Sequence, residues 1–430
     1  MMEPAQITAT AQAVKLKKQC LYWAAQFPYC AFLDSCGTHM DRYGAYEFIL
    51  GVARHGTEVI EELGALDRAE GNGKWYLGGL GYDLKNRIEK RLRTRSQATV
   101  SFPGMRLFAA EIVIAWRRGA ERPEILLGDP PGAIWEAIAQ VDIARTAVTN
   151  FTGFVSNFSR AHYLDTVQKL RAHIREGDCY EINLTQNFSA SGKITHPAAL
   201  WEKLAELSPV PFAGYARWKG THLLCASPER FLQLQGDRLL TQPIKGTSSR
   251  AKKLSADLAQ MRRLRTSLKE QAENVMIVDL SRNDLYRSCE VNSVEVPDLF
   301  EVQTFPSVHH LVSTVTGRKS PTVGTAQVIR NTFPPGSMTG APKVRTCELI
   351  DQYEDRARGI YSGSLGYFAP NGDFDLNVVI RSLVYDDARE QISYHVGGAV
   401  TWDSDPEAEY EETLLKARPI AELFAQLGKG

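Results

Sequence analysis

The chain has 430 residues, of which 43% are hydrophobic and 23% charged, the composition of a globular protein with a substantial core. Fifty basic and fifty acidic side chains cancel, so the overall charge indicates neither a nucleic-acid nor a membrane partner. Seven scattered cysteines without a C-x-x-C pair are not typical of a zinc site or a disulfide framework. Without an apolar leader or an apolar run of membrane-spanning length, the expected location is the cytoplasm.

Apolar periodicity and turn residues predict strands joined by hairpins, with helices inserted in groups. The predicted strands are 107–116, 182–188, 222–226, 231–234, 364–368, 377–385 and 391–400. The predicted helices are 160–176, 197–207, 255–285 (with a break), 341–354 and 405–427. The sequence Asn371-Gly372-Asp373 predicts a hairpin turn. This order indicates an α+β protein with antiparallel sheets rather than a doubly wound parallel sheet.

A single lysine, Lys245, is flanked by Pro243 and Gly246 on a predicted bend after a strand at 238–241. A lysine on rigid backbone can act as a nucleophile when it is neutral. We therefore expect burial or a cationic neighbour to lower its pKa. A lone lysine is more commonly a solvated surface residue, so this interpretation depends on the other candidate residues of the chain.

Two acidic pairs, Glu270/Glu273 and Glu409/Glu412, have a spacing of three residues within predicted helices. This spacing places both members of a pair on one helix face. Two such pairs facing each other across a cleft would form an oxygen-rich site suited to Mg²⁺. The alternative for either pair is a solvated acidic helix face.

Several other residues can hold an anionic substrate. Backbone N–H groups before a helix start attract anions, and paired glycines allow a ligand to approach the backbone. Arginine can bind a carboxylate through two hydrogen bonds, and a lysine one turn after Glu412 would share its helix face. The candidates are Thr339, Gly340, Gly397, Gly398, Arg381 and Lys416. Each also has a structural alternative as a cap, a turn residue or a surface ion pair.

Several motifs in a fixed order carry a family resemblance. They are Gly177-Asp-Cys-Tyr-Glu-Ile-Asn-Leu184, Ser227-Pro-Glu-Arg-Phe231, Pro243-Ile-Lys-Gly-Thr247, Glu273-Asn-Val-Met-Ile-Val-Asp279, Arg282-Asn-Asp284, residues 336–343 and Gly397-Gly398. With them the chain resembles the chorismate-utilising enzymes, and among these the aminodeoxychorismate synthase component I branch. Residues 1–150 match only in patches. We therefore divide the sequence into a weakly matching N-terminal region, 1–150, and a chorismate-binding catalytic region, 151–430.

The resemblance implies a fold and an activity. The implied fold is a two-layer sandwich of large antiparallel sheets with flanking helices, like that of anthranilate synthase component I, in which both regions form one unit. The implied reaction converts chorismate and ammonia to 4-amino-4-deoxychorismate, in 4-aminobenzoate and folate synthesis. In it, Lys245 attacks C2 to form a covalent adduct, and Glu229 protonates the departing C4 hydroxyl.

The resemblance also implies a cofactor and a substrate pocket. Mg²⁺ is the implied metal, with Glu273 and Glu412 as ligands and Glu270 and Glu409 as outer or water-mediated carboxylates. The residues that coincide with substrate-pocket positions are His310, Tyr361 and the anion-binding candidates named above.

Two positions depart from the pattern of the branch. Glu181 stands where aminating relatives usually have glutamine and where isochorismate and salicylate synthases have a water-activating lysine. Tyr286 stands where glycine is common. The alternatives are anthranilate synthase component I, which carries alanine at the position of Lys245, and a catalytically degenerate regulatory homologue.

Two external molecules are implied as well. No part of the sequence resembles a class I amidotransferase, so ammonia is expected from a separate glutamine amidotransferase subunit or from solution. Six residues correspond to the tryptophan pocket of relatives, although core packing accounts for Pro211 and Phe212 nearly as well. They are Ser35, Arg42, Tyr43, Pro211, Phe212 and Ala213.

Overall fold

This computed structural model describes residues 4–38, 41–143, 148–306 and 308–427. The helices in these ranges are α1 (Pro4–Ala24), α2 (Ala65–Ala69), α3 (Lys85–Ile88), α4 (Pro131–Ala139), α5 (Arg160–Arg175), α6 (Pro197–Leu207), α7 (Leu254–Thr266), α8 (Leu268–Tyr286), α9 (Thr325–Thr332), α10 (Lys343–Tyr353) and α11 (Pro406–Leu427).

The strands of the first half of the chain are β1 (Tyr29–Asp34), β2 (Tyr46–Ala53), β3 (Val59–Ile60), β4 (Tyr76–Leu80), β5 (Met105–Ala109), β6 (Ile112–Arg117), β7 (Glu124–Leu127), β8 (Val148–Thr149), β9 (Val155–Ser156), β10 (Glu181–Ser191), β11 (Lys193–Ile194) and β12 (Phe212–Trp218). Those of the second half are β13 (Thr221–Ser227), β14 (Arg230–Gln235), β15 (Arg238–Gln242), β16 (Ile244–Ser249), β17 (Glu295–Thr304), β18 (Val308–Arg318), β19 (Gly340–Ala341), β20 (Ser364–Phe368), β21 (Phe374–Asn377), β22 (Ser382–Asp386) and β23 (Gln391–Val400).

Two large antiparallel sheets contain most of these strands. The first has 11 strands in the order β19-β10-β23-β22-β13-β12-β1-β2-β6-β7, with β9 paired to β10. The second has 10 strands in the order β16-β18-β15-β14-β21-β20-β4-β5-β3, with β17 paired to β18. Both sheets combine strands from either side of residue 150, so the division at that residue stays a prediction about the sequence.

The sheets face each other, and helices cover their outer surfaces. One apolar cluster, which includes Leu77, Trp218 and Leu223, fills the space between the sheets. A second cluster packs the first sheet against α1, α6 and α11, and a third packs the second sheet against α8 and α9. The predicted α+β sandwich with flanking helices is therefore confirmed. No helix within the described ranges combines the length and apolar character needed to cross a membrane.

Most predicted elements are confirmed, but two predicted strands are wrong in the same way. Helix 197–207 and strands 364–368 and 391–400 have the predicted bounds, and the long helix breaks at Ser267. The predicted strand 107–116 is two strands in different sheets. The Ala110 N–H donates to the Trp75 carbonyl oxygen, whereas the next N–H, that of Glu111, donates to the Val52 carbonyl oxygen. The chain therefore changes sheets between these two residues.

The predicted strand 377–385 divides likewise into β21 and β22, which belong to different sheets. Its middle contains Arg381, whose φ of 50° is incompatible with a continuing strand. An apolar run has the same sequence pattern whether it stays in one sheet or crosses to the next, so the sequence alone could not show either division.

A buried charge network ties the first sheet to the second beside the site described below. The Arg230 guanidinium is fully buried and binds Asp375 through Nε at 2.9 Å. Its other two nitrogens each bind the Asp41 carboxylate at 2.8 Å. Both aspartates are largely buried, so this arginine is the main source of charge compensation for each, with Arg118 as a second cation 3.8 Å from Asp41.

We expect Arg230→Met to lower the free energy of unfolding by about 3–5 kcal/mol, because it removes the main compensating charge of two buried carboxylates. Arg318→Met is the matched control. Its partner Glu290 is exposed, so the loss should be at most about 1 kcal/mol. Urea unfolding of both variants measures the two changes. Equal effects would contradict the structural role assigned to Arg230.

Candidate active site

The candidate active site lies where the edges of the two sheets meet. Strand β10 is next to the edge of the first sheet, and β16 forms an edge of the second. Helix α8 packs on β16 and β18, and α11 packs on β23. The Lys245 Nζ of β16 contacts the Glu181 Oε1 of β10, which joins the two edges directly.

Lys245 lies inside β16 rather than on a free bend, so that prediction is wrong in its detail. The pairing of β16 with β18 shifts register between Ile244 and Thr247, which marks a β-bulge at Lys245. Gly246 has a φ of +86°, and a Cβ there would lie 2.6 Å from the Glu270 Oε2. The bulge and the glycine therefore bring the lysine backbone close to α8.

The charge of Lys245 also differs from the expectation. Burial alone would lower its pKa, but the contacting Glu181 carboxylate, with smaller contributions from Glu273 and Glu229, raises the pKa above its ordinary value. The predicted lowering of the lysine pKa is therefore wrong for the protein without substrate. Lys245 therefore forms a buried ion pair as an ammonium, whereas the nucleophile expected from the sequence requires a neutral amine.

Glu229 lies in the short segment between β13 and β14, where the chain passes from the first sheet to the second. Burial raises its pKa to about 7, although hydrogen bonds from Ser337 and the Ile244 N–H, and the charges of Lys245 and Arg381, act in the opposite direction. A carboxyl group with this pKa can hold a proton near neutral pH and still donate it. Glu229 therefore has the protonation required of a general acid.

Arg381 and His310 form a fixed pair beside Glu229. The Arg381 Nη2 lies 3.1 Å from the His310 Nε2, and the His310 Nδ1 lies 2.9 Å from the Thr247 Oγ1. Burial, reinforced by Arg381, lowers the pKa of His310 well below its ordinary value, so the ring is neutral. Because arginine only donates, Nε2 accepts and Nδ1 carries the proton. Burial also lowers the pKa of Arg381 to about 10.

The remaining pocket candidates surround this pair. Tyr361 is buried and stacks on His395 with ring centroids 5.1 Å apart. Lys416 donates to the Gly397 carbonyl oxygen at 3.0 Å. A Cβ at Gly397 would lie 2.3 Å from the Leu184 carbonyl oxygen, so that close approach requires glycine.

Thr339 and Gly340 do not form the expected open helix start. The Thr339 N–H bonds the Gly336 carbonyl within a short 3₁₀ turn. Gly340 belongs to β19, which pairs with β10, and its φ is +136°. The α10 helix begins afterwards, at Lys343. The free N–H groups predicted at Thr339 are therefore already used within the turn.

The two acidic pairs lie on α8 and α11 and influence one another across the site. Burial raises the pKa of Glu273 to about 7, and burial with the charge of Glu412 raises the pKa of Glu270 and of Glu409. Glu412 differs. Burial pushes its pKa upwards, but the Lys416 ammonium, 2.7 Å away, holds it below the ordinary value. This concentration of carboxylates favours an added cation.

The acidic pairs provide the donor atoms that Mg²⁺ prefers, although their carboxylate oxygens do not converge on one position. Among the described residues, one group of three metal-ligating side chains has donor atoms within 4.8 Å of one another: His173, Glu176 and Asp178, at the end of α5. Gly398 leaves room beside the carboxylates of α11, because a Cβ there would lie 3.3 Å from the Glu409 Oε2. The chemistry of the four glutamates therefore fits a hard cation, with convergence of the oxygens still required.

The six candidates for an effector pocket are only partly brought together. Ser35, Pro211, Phe212 and Ala213 line one cavity of about 60 Å³, space for a few water molecules. Arg42 instead contacts Asp298 at the surface, and Tyr43 lies under the Arg238 guanidinium. The tryptophan pocket stays a prediction.

The sequence analysis missed the support beneath the site. Arg358 and Glu354 form a fully buried pair at 2.6 Å, and Arg358 also binds the Asn183 and Met338 carbonyl oxygens. No local sequence signal marks this pair. A signal did exist on β10, where Glu181, Asn183, Thr185 and Asn187 occupy alternate positions and are buried. Tyr286, the other departure, is half-exposed beside Arg282.

The raised pKa of Glu229 should appear in the pH dependence of stability. The folded protein binds this proton more tightly than the unfolded chain. The stabilisation that the folded state gains from protonated Glu229 is complete below pH 4.5 and is lost as the pH rises through about 7. Relative to wild type, Glu229→Gln should therefore gain up to about 3 kcal/mol in free energy of unfolding across this range. Denaturant titrations at several pH values measure the gain, and a difference independent of pH would contradict the assignment.

Known proteins are similar to this chain in sequence. Aminodeoxychorismate synthase component 1 of Klebsiella aerogenes is 38% identical over 349 residues, which cover 80% of this chain and 76% of that protein. The chloroplastic aminodeoxychorismate synthase of Arabidopsis thaliana is 44% identical over 274 residues, 63% of this chain. The matched region spans 30% of the length of that plant protein.

A solved structure agrees with these matches. Anthranilate synthase component I from Streptococcus pneumoniae TIGR4 has a TM-score of 0.74 and 25% identity, with 91% of each chain covered. The family model described as chorismate binding enzyme matches residues 21–422, nearly the whole chain. With this match and the shared fold, the chain belongs to the chorismate-binding enzyme family.

Proposed function

We propose that this chain is the chorismate-aminating component of an aminodeoxychorismate synthase, a transferase of the transaminase class. It converts chorismate and ammonia to 4-amino-4-deoxychorismate and water. The observation that carries this proposal is that Lys245 and Glu229 are both buried and lie near enough for the charge of each to influence the pKa of the other. The names of the relatives from Klebsiella and Arabidopsis support the same reaction.

Cationic side chains would bind the two carboxylates of chorismate. The Arg381 guanidinium is positioned by His310 and lies beside Tyr361. It can hold one carboxylate by paired hydrogen bonds. The second carboxylate would lie towards Lys416 and the acidic residues of α8 and α11. In this orientation the ring stands between Lys245 and Glu229.

The first chemical step forms a covalent adduct. The neutral Lys245 Nζ attacks C2, the two conjugated ring double bonds shift from C1=C2 and C5=C6 to C1=C6 and C4=C5, and the C4–oxygen bond breaks. Glu229 transfers its proton to the departing oxygen, which leaves as water. The pKa of about 7 allows Glu229 to hold that proton until the bond breaks.

In the second step ammonia attacks C4, both ring double bonds shift back to C1=C2 and C5=C6, and the C2–nitrogen bond to Lys245 breaks. The new C4 ammonium group loses a proton, which restores Glu229 to its acid form. The sum of both steps is chorismate plus ammonia giving 4-amino-4-deoxychorismate plus water. The lysine is regenerated, so it acts as a nucleophilic catalyst.

Magnesium is part of the proposal. Glu273 and Glu412 would hold it directly, with Glu270 and Glu409 acting through water. Bound Mg²⁺ would neutralise the ring carboxylate of chorismate and act as a Lewis acid. The crowding of four carboxylates and the raised pKa of Glu273 support such a cation site.

The source of ammonia is the remaining part of the proposal. The word component in the name of the Klebsiella relative supports a second subunit, and we propose a glutamine amidotransferase in that role. Free ammonium would replace it in the test tube. The cytoplasmic location expected from the sequence stays a prediction.

Replacing the nucleophile tests the function most simply. We expect Lys245→Ala and Lys245→Arg to lose product formation by a thousandfold or more, since several kcal/mol of covalent catalysis is lost. The arginine variant keeps a cation beside Glu181, so it separates charge from nucleophilicity. In the assay each protein is incubated with chorismate, Mg²⁺ and ammonium, and the product is identified by its mass and retention time. Near-wild-type 4-amino-4-deoxychorismate from either variant would exclude Lys245 as the nucleophile, and anthranilate as the wild-type product would favour the alternative activity.

The metal ligands are tested by neutral replacements. Glu273→Gln or Glu412→Gln should abolish both activity and Mg²⁺ binding, because each removes an anionic oxygen from a hard-cation site. Calorimetry measures the binding of Mg²⁺ to each variant. Glu270→Gln should have a milder effect if this carboxylate acts through water. Unchanged activation by Mg²⁺ in the first two variants would show that the acidic pairs are solvated helix faces.

A further inference from the structure

The contact between Glu181 and Lys245 has no role in the reaction as described above. The exposed fraction of the Glu181 side chain is 1% and that of Lys245 is 8%, so the pair is shielded from water. The Glu181 Oε1 contacts the lysine Nζ, while the Oε2 is buried and has no hydrogen-bond partner among the described residues. Lys245 thus provides the one side-chain hydrogen bond that the structure gives this carboxylate.

We propose that Glu181 is the base that removes the proton from Lys245 before it attacks C2, and the acid that returns the proton when the lysine leaves. This inference rests on the proposed function, because it concerns the same nucleophile. It adds a catalytic residue whose carboxylate touches the reacting nitrogen. In this scheme Glu229 serves the C4 oxygen and Glu181 serves the lysine.

Five carboxylates interact electrostatically with Lys245, those of Glu181, Glu229, Glu270, Glu273 and Glu412, and contact distinguishes them. Glu181 approaches from β10, Glu273 from α8 and Glu229 from the segment before β14. Within 4.0 Å the lysine has an ion pair with Glu181 alone among the described residues. Glu229 is needed as the proton donor to the C4 oxygen, and Glu270, Glu273 and Glu412 belong to the proposed metal site. Glu181 is therefore the available acceptor.

The proton transfer balances within the pair. The lysine ammonium and the Glu181 carboxylate become a neutral amine and a neutral carboxyl group, with no net change of charge. A buried site favours this exchange more than water does, because neither neutral group requires strong solvation. When ammonia displaces the lysine from C2, the leaving nitrogen takes the proton back from Glu181. The ion pair is then restored for the next cycle.

Glutamine at position 181 provides a sharp test, because it has nearly the same shape but cannot take up the proton. Rapid quenching with chorismate and Mg²⁺, followed by mass spectrometry, measures the rate at which the adduct forms on Lys245. We expect Glu181→Gln to slow this step by about 10²–10⁴-fold, the usual range for loss of a general base. Glu181→Asp keeps a carboxylate and should retain part of the rate.

A second readout separates this role from simple charge pairing. Without the carboxylate, the ammonium form of Lys245 is less favoured. Labelling of Lys245 by an amine-selective reagent should therefore occur at lower pH in Glu181→Gln than in wild type. Slower adduct formation despite a more readily deprotonated lysine assigns proton transfer to Glu181. If the pH at which Lys245 is labelled is the same in Glu181→Gln and in wild type, the ion pair does not form in solution and the proposal is overturned.

Asp351→Asn is the matched control, because it breaks another buried lysine–carboxylate pair, Lys85–Asp351 at 2.6 Å, away from the site. It should leave adduct formation unchanged, and thermal unfolding checks that all variants fold. An adduct rate in Glu181→Gln equal to or above that of wild type would overturn the role of Glu181 alone. Absence of any adduct in wild type would overturn the proposed function instead.

Discussion

The contact between Lys245 and Glu181 is the interaction on which the site depends, because each sheet contributes one partner. Glu229 lies where the chain crosses between the same two sheets. The nucleophile, its neighbouring carboxylate and the candidate acid are therefore positioned by the packing of one sheet on the other. The apolar cluster between the sheets fixes that packing, and close-packed interiors tolerate little displacement. The precision of the site thus comes from the core of the whole fold.

The pKa shifts of the buried charged groups in this site differ in direction. Burial lowers the pKa of Arg381 to about 10, whereas Lys245 keeps a raised pKa through its carboxylate neighbour. Glu273 rises to about 7, but Glu412 is held low by Lys416. Burial therefore sets the direction of the pKa shift for Arg381 and Glu273, whereas a contacting opposite charge reverses it for Lys245 and Glu412. A protonated Glu229 and a charged Lys245 can therefore lie near each other in the same site.

The sequence predicts this protein well where local pattern decides the structure. Periodicity located helix 197–207 and strand 391–400, and the three-residue spacing placed each acidic pair on one helix face. Prediction failed where long-range packing decides. Lys245 and Glu181 are 64 positions apart, and nothing local to either residue indicates their contact. The crossing at Glu111 and the buried pair of Arg358 and Glu354 depend on tertiary partners in the same way.

The central claim is that a buried lysine at the junction of two sheets becomes covalently attached to the substrate. Peptide mapping by mass spectrometry, after mixing the protein with chorismate and Mg²⁺ without ammonia and quenching rapidly, tests this most directly. The account predicts one modified peptide, carrying the mass of chorismate less one water on Lys245, and loss of the modification when ammonium is added. An adduct on another residue, or turnover to 4-amino-4-deoxychorismate with no adduct at any time, would contradict it.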